Sequence, residues 1–308
     1  MPFSFSKMLS AASLAVMLPM LVFADPAGTA QPVDEPRVQS QIPVSFNSRY
    51  QFDSSLGKTG ASFSALHTSV DFDIGFPITK NLTAVGRLST EYSHYDWSNF
   101  RSLLPDVDHP IRDGLSVKFN PAIIYRASKE WAYFGGPIFK FSGETNADLS
   151  SAMTYGGVAG VSRTFSDNVS VLLGVVVQTR LEHDPSIFPF FGFDWKFADQ
   201  WTFGTHGTDI RLAYQASKAM QVFCDLGFER REFRLSDRNK IPRGIVRDEG
   251  FSLQVGLSYK FKSNVEISAT TGLILSEEIR VEDSQGRALT KSQNDPAPFV
   301  GINIRFAI

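Results

Sequence analysis

The chain has 308 residues, with 30 Lys and Arg against 32 Asp and Glu, a formal net charge of −2 and one Cys. One Cys excludes a disulfide framework and leaves no Cys/His cluster for structural zinc, and near-neutral charge gives no electrostatic case for nucleic acid. At 43% hydrophobic and 20% charged the composition excludes disorder, and Phe dominates the aromatics at 27 against 8 Tyr and 4 Trp.

Lys7 precedes an apolar run from Met8 to Phe23 that ends in Val22-Phe23-Ala24, with Asp25 and Pro26 after it. This is the plan of a secretory signal peptide over residues 1–24. Pro19 and the shortness of the run argue against a lone membrane anchor, and no Cys follows for a lipid anchor. Residues 25–41, with Pro26, Pro32 and Pro36, read as a flexible periplasmic lead-in. One domain is expected over residues 42–308.

From residue 42 onward a two-residue period replaces any helical one. Leu66, Thr68, Val70, Phe72, Ile74 and Phe76 alternate with His67, Ser69, Asp71, Asp73 and Gly75. Leu115, Val117, Phe119, Ile123 and Tyr125 alternate with Ser116, Lys118, Asn120 and Arg126. The stretches 251–261 and 265–275 repeat the plan, with Lys260 and Glu266 on their polar faces. The pattern predicts fourteen strands, at 42–53, 63–76, 81–96, 114–127, 130–142, 153–165, 168–182, 187–197, 200–206, 209–216, 219–235, 249–262, 265–278 and 297–307. Those at 200–206 and 209–216 are the weakest. If they merge or lie outside the wall, the count is twelve.

Alternation fits a soluble β-sandwich as well as a membrane barrel, which turns the same pattern inside out. The connections separate the two. Short gaps at 77–80, 127–129, 166–167, 198–199, 217–218 and 263–264 alternate with longer ones at 54–62, 97–113, 143–152, 183–186, 236–248 and 279–296. The gap at 207–208 breaks the rule, being short where a long one is due. Tight turns at one end and long loops at the other predict an all-β, transmembrane, antiparallel up-and-down β-barrel. Most of the strands reach the roughly 9–11 residues that a tilted spanning strand needs. Tyr125 with Trp131, Trp195 with Trp201, and Tyr259 with Phe261 flank short turns, as a headgroup belt requires. Tyr92, Tyr95 and Trp97 are expected in the belt at the other end.

These features resemble bacterial outer-membrane β-barrel proteins, most of all uncharacterised single-domain barrels of about 300 residues. In the last strand, Gly301-Ile302-Asn303-Ile304-Arg305-Phe306 is similar to that family's assembly signal, with Gly301, Ile304 and Phe306 as its marks. Ala307 and Ile308 follow here, where the family usually stops at the aromatic residue. The resemblance implies an outer-membrane location and recognition of the last strand by the barrel-assembly machinery, after periplasmic chaperones. It also implies contact with outer-membrane lipid and lipopolysaccharide. No cofactor is expected, and nucleic acid is no partner.

With the apolar face toward lipid, the other face lines the lumen. Its basic residues are Arg49, Arg87, Lys118, Arg126, Lys196, Arg211, Arg231, Lys260 and Arg305. Its acidic ones are Asp71, Asp73, Glu91, Asp194, Asp209, Asp225, Glu229 and Glu266. The near balance predicts a paired network that braces the wall rather than a strongly ion-selective pore. A barrel of this strand number is wider than the small filled kind, which favours a passage.

Catalytic and metal chemistry is weakly represented. The five His are scattered, with no two spaced as metal ligands on one element. Asp106, Asp108, His109 and Asp113 offer oxygens for Ca²⁺, and a solvated polar loop explains them equally well. His67 and Ser69 have the spacing of phospholipase-type barrels without the surrounding motif. His183-Asp184 and Asp108-His109 are adjacent pairs, and adjacent strand residues point apart. Gly156, Gly157 and Gly160 lack the strand-to-helix context of a phosphate loop, and close backbone approach accounts for them. Arg238, Lys240, Arg243 and Arg247 form a basic loop, and Glu277, Glu278, Glu282 and Asp283 an acidic one, either as solvated charge or as contacts to lipopolysaccharide phosphates and neighbouring loops. Cys224 falls on the lipid face beside Val222 and Leu226. No enzyme is expected. The leading expectation is a channel or transport protein for small solutes. Its alternatives are a structural or surface-interaction barrel with a blocked lumen, a rim hydrolase, and a soluble periplasmic β-protein.

Overall fold

The computed structural model describes residues 42–261 and 264–307, so the expected signal peptide and lead-in lie outside the described residues. The strands are β1 (Pro43–Ser55), β2 (Ser62–Pro77), β3 (Leu82–Ser98), β4 (Asp113–Arg126), β5 (Trp131–Glu144), β6 (Met153–Ser166), β7 (Val169–Arg180) and β8 (His183–Ala198). They continue as β9 (Trp201–His206), β10 (Asp209–Gln215), β11 (Met220–Arg234), β12 (Ile245–Phe261), β13 (Val265–Glu282), β14 (Ala288–Gln293) and β15 (Ala297–Ala307). From β1 to β14 each strand pairs antiparallel with its chain neighbours, and β15 joins β1 to β13. β14 pairs only with the far end of β13 and stands outside the ring. The ring therefore closes on fourteen strands, not twelve.

Closure follows from the environment that the outer face demands. Phe72, Leu88, Phe119, Leu173, Phe191, Leu253 and Val255 are exposed on the outside. A wall clad in such residues suits hydrocarbon, where no water satisfies a backbone N–H or C=O, so every strand must pair on both sides. Rings gather at the short-turn end: Trp195, Phe197, Trp201 and Tyr214 follow one another with centroids 5.3, 6.2 and 4.8 Å apart. Such amphipathic rings fit a headgroup level. Cys224 stands opposite Leu212 and Val255, both exposed on the outer face.

Two expectations need correction at the other end. Tyr92 is exposed, but Tyr95 is fully buried inside and Trp97 packs against the same core. Tyr95 and Trp97 share the inward face of β3 with Arg87 and Glu91, while Tyr92 sits on the alternate face, and nearness in sequence does not overcome that alternation. The regions read as loops at 183–186, 236–248 and 279–296 are also strand in whole or in part, with β8 beginning at His183. β12 begins at Ile245, β13 runs to Glu282, and β14 forms within the last region. Glu277, Glu278 and Glu282 thus stand on β13 rather than in a loop.

This extension closes the mouth at the long-loop end. β11 pairs with β10 only as far as Leu226, then crosses until Arg234 meets Gly143 of β5. β12 and β13 accompany it. Phe233, Leu235, Ile241, Val246, Ile279 and Val281 pack there against Phe63, Tyr95, Phe100 and Ile111 from the β1–β2 and β3–β4 ends. Burying each large side chain stabilises by about 1.5–3 kcal/mol. Polar latches hold the rim. Glu144 accepts from the Ser236 N–H at 2.8 Å and from Asn239 at 3.2 Å, and Arg234 Nη2 donates to Glu182 at 2.7 Å.

Candidate functional site

Alternation sends the polar face of each strand inward, and the diverted β11 divides the space there. On one side its charges reach the far wall. Glu229 pairs with Arg49 of β1. Arg231 Nε lies 2.9 Å from Glu91 of β3, and its Nη2 lies 2.8 Å from Glu229. The Tyr95 hydroxyl donates to Asp248 at 2.8 Å, and Gln51 donates to Glu277 at 2.7 Å. Deeper in the barrel, Arg87 lies 3.3 Å from Asp71 and 3.7 Å from Asp73, and Arg211 binds Asp225 through two bonds of 2.7 and 2.8 Å. Opposite charges meet in pairs on this side, which leaves no lining of a single sign.

Beside this network, and lined in part by its Glu91, Glu229 and Arg231, lies a cavity of about 470 Å³. β3 to β8 supply most of its wall, including Glu91, Lys118, Lys140, Gln178, Arg180 and Phe188. Residues Phe228 to Phe233 of β11 supply the rest. Lys118 and Lys140 stand directly opposite each other in the β4–β5 register. Val176 of this wall belongs to an inward apolar cluster with Phe134, Ile138, Val158 and Phe190. A Cβ at Gly160 would run into the Phe134 ring, so glycine there lets the ring lie against the wall. The lumen thus carries an apolar patch on β5 to β8 beside the charged residues of the same wall.

The barrel wall is interrupted beside this cavity. β9 and β10 have only 6 and 7 residues and join through Gly207 at φ 65°, a tight turn that glycine adopts without strain. β8 pairs with β9 only from Asp194 to Ala198. Above the turn, no strand among the described residues lies between β8 and the stretch 227–233 of β11. The opening has a lintel: His183 Nε2 lies 3.1 Å from Glu282, and Arg234 binds Glu182. The cavity touches the remaining three sides, at Ser186 and Phe188 on β8, Thr208 and Asp209 on the sill, and Phe228 and Arg230 on β11.

The other sequence-derived candidates are dispersed. Lys260 stands opposite Glu266, and Glu266 opposite Arg305, near the short-turn end, where Arg126 is exposed. Ile304 and Phe306 of β15 sit between β1 and β13, and Gly301 stands opposite Arg49. His67 points inward and shares a 2.9 Å hydrogen bond with Ser93. Asp108 lies 2.5 Å from Arg101, whose hydrogen bond holds that carboxyl below the usual carboxylate range. Asp113 instead accepts from Tyr92 at 2.5 Å and lies 2.7 Å from His94. Among the described residues no group of three or more His, Cys, Asp or Glu is placed to hold a metal ion.

Lys140, Arg180, Phe188 and Phe228 were not among the candidates read from the sequence. Lys140 was findable, since it alternates with Phe139 and Phe141 on the inward face of its strand. Arg230 and Glu232 carried a plainer signal. They occupy positions of the outer face, where lipid excludes charge, so their strand has to leave the wall.

A family model described as a domain of unknown function, DUF6268, matches residues 129–308. No curated protein matches the chain. Solved structures similar to it include the COG4313 outer membrane channel from Pseudomonas putida F1, at 9% identity and TM-score 0.47, over 90% of this chain and 100% of that one. A Pseudomonas aeruginosa FadL homologue is similar at 10% identity and TM-score 0.44, over 87% and 90% of the two chains. The KdgM porin is similar at 12% identity and TM-score 0.33, over 86% and 99%.

Proposed function

The chain belongs to the DUF6268 family, a domain of unknown function, and from its own barrel we propose that it is an outer-membrane passage for small solutes. The cavity beside the interrupted wall carries this reading. Barrels of this plan set their long loops outward and their short turns toward the periplasm. The apolar core around Phe233 and Tyr95 fills the outward mouth. A solute would therefore reach the cavity through the wall, from the membrane, and leave toward the short-turn end.

The sealed mouth also favours a second reading, a structural or surface-interaction barrel. Arg238 and Lys240 are exposed at the tip of the β11–β12 hairpin, where lipopolysaccharide phosphates would meet them. Gly301, Ile304 and Phe306 are the proposed assembly signal under either reading, on the strand that closes the ring.

Flux into proteoliposomes separates the two. Refolded protein is reconstituted and given a panel of labelled small solutes that runs from charged to apolar. The passage predicts flux of at least one solute above empty vesicles. No flux across the whole panel rejects the passage and leaves the structural barrel.

A further inference from the structure

Unpaired positive charge outweighs unpaired negative charge in the cavity. Lys118, Lys140 and Arg180 all line it, and among the described residues none of them forms an ion pair. Arg180 Nε is buried without a hydrogen-bond partner. Lys118 and Lys140, directly opposite in register, bring their Cβ atoms to about 4.5–5.5 Å, where like charges repel. The acids nearby are mostly engaged already: Glu91 and Glu229 by Arg231, and Glu232 by Arg247 at 3.0 Å. Asp209 on the sill is bonded to Thr208 at 3.1 Å and has no cation partner among the described residues.

Apolar surface adjoins this positive group. Val176, Leu181, Phe188 and Phe228 share the cavity, and Phe188 and Phe228 stand on the two sides of the gap in the wall. A volume of about 470 Å³ falls within the range of small-molecule sites, roughly 300–1,000 Å³. An anion between Lys118 and Lys140 removes their mutual repulsion and gains charge-assisted hydrogen bonds, which are the strong kind.

We propose that this cavity binds an amphiphile with one anionic head and an apolar body. The head lies on Lys118, Lys140 and Arg180, and the body lies along Phe188 and Phe228 toward the membrane. The proposal rests on the passage reading for its purpose, and it names the class of solute.

Binding is measured without transport, by titrating folded protein in non-ionic detergent with octyl phosphate, inorganic phosphate and octyltrimethylammonium. Octyl phosphate is expected to bind saturably at one per chain, at least tenfold tighter than inorganic phosphate, and the cationic amphiphile is expected not to saturate. The Lys118→Gln/Lys140→Gln pair is expected to weaken octyl phosphate at least tenfold, while Lys291→Gln, on β14 outside the ring, leaves it unchanged. Gel mobility before and after boiling reports folding, and if the double variant does not fold, Arg180→Gln carries the same expectation. Equal affinity for the anionic and cationic amphiphiles overturns the proposal, as does a folded variant that binds like the wild type. Inorganic phosphate that matches octyl phosphate overturns the apolar half of the site. Saturable binding with no liposome flux upholds this site and rejects the passage, whereas flux with no binding does the reverse.

Discussion

Arg231 Nε and Glu91 Oε1 lie 2.9 Å apart, although their strands β11 and β3 are far from adjacent in the ring. The pair exists because β11 has left the wall and crossed the lumen. Replacing Arg231 by Gln leaves Glu91, Glu229 and Asp248 without their shared cation. Leaving buried charge unpartnered costs about 3 kcal/mol or more. The urea midpoint of the refolded barrel is expected to fall accordingly. An unchanged midpoint would mean that the crossing strand is not held there.

Phe233 and Gly114 fix how closely that strand approaches β4. Phe233 is fully buried, and its ring stands 2.7 Å from where a Gly114 side chain would begin. Gly114→Val displaces the ring, and Phe233→Ala removes packing worth about 3–5 kcal/mol. Both variants are expected to raise single-channel conductance in planar bilayers several-fold over the wild type. Conductance equal to the wild type in both variants would show that the core around Phe233 does not seal the mouth.

Much of this architecture is legible in the alternation of side chains, because a membrane wall imposes it on every strand. Phe251 to Phe261 is a case where pattern and strand coincide. Legibility ends where the chain leaves the wall. Within 228–234 charge occupies both faces, so alternation no longer says which way a side chain points. The short gap at 207–208 was the sequence's mark of the interrupted wall, but its meaning depends on how far β8 and β11 rise past it. The lumen was harder still. Phe134 and Phe190 lie on the face expected to be polar, and only the partner strands' glycines, Gly160 and Gly174, show how such rings fit.

The loop between β3 and β4 offers a pH test. The hydrogen bond from Arg101 holds Asp108 below the ordinary carboxylate value, which is near 3.9. A lowered folded pKa means that the contact is fully present above the ordinary value and is lost as pH falls through the lowered one. The Asp108 carboxyl carbon, followed by NMR, is expected to titrate below the free value and to move up toward it in Arg101→Gln. The same midpoint in both proteins would remove the ion pair from the solution structure.

The interrupted wall itself is tested most directly by spin labels. In a Cys224→Ser background, Phe228→Cys and Phe233→Cys are labelled with a nitroxide in lipid bilayers, and collision with dissolved oxygen is measured at each. Phe228 borders the gap, so its label is expected to meet membrane-borne oxygen nearly as often as one at Leu253 on the outer face, while the label at buried Phe233 is shielded. A label at position 228 as shielded as the one at 233 would mean that the wall is closed there and that the cavity has no route to the membrane.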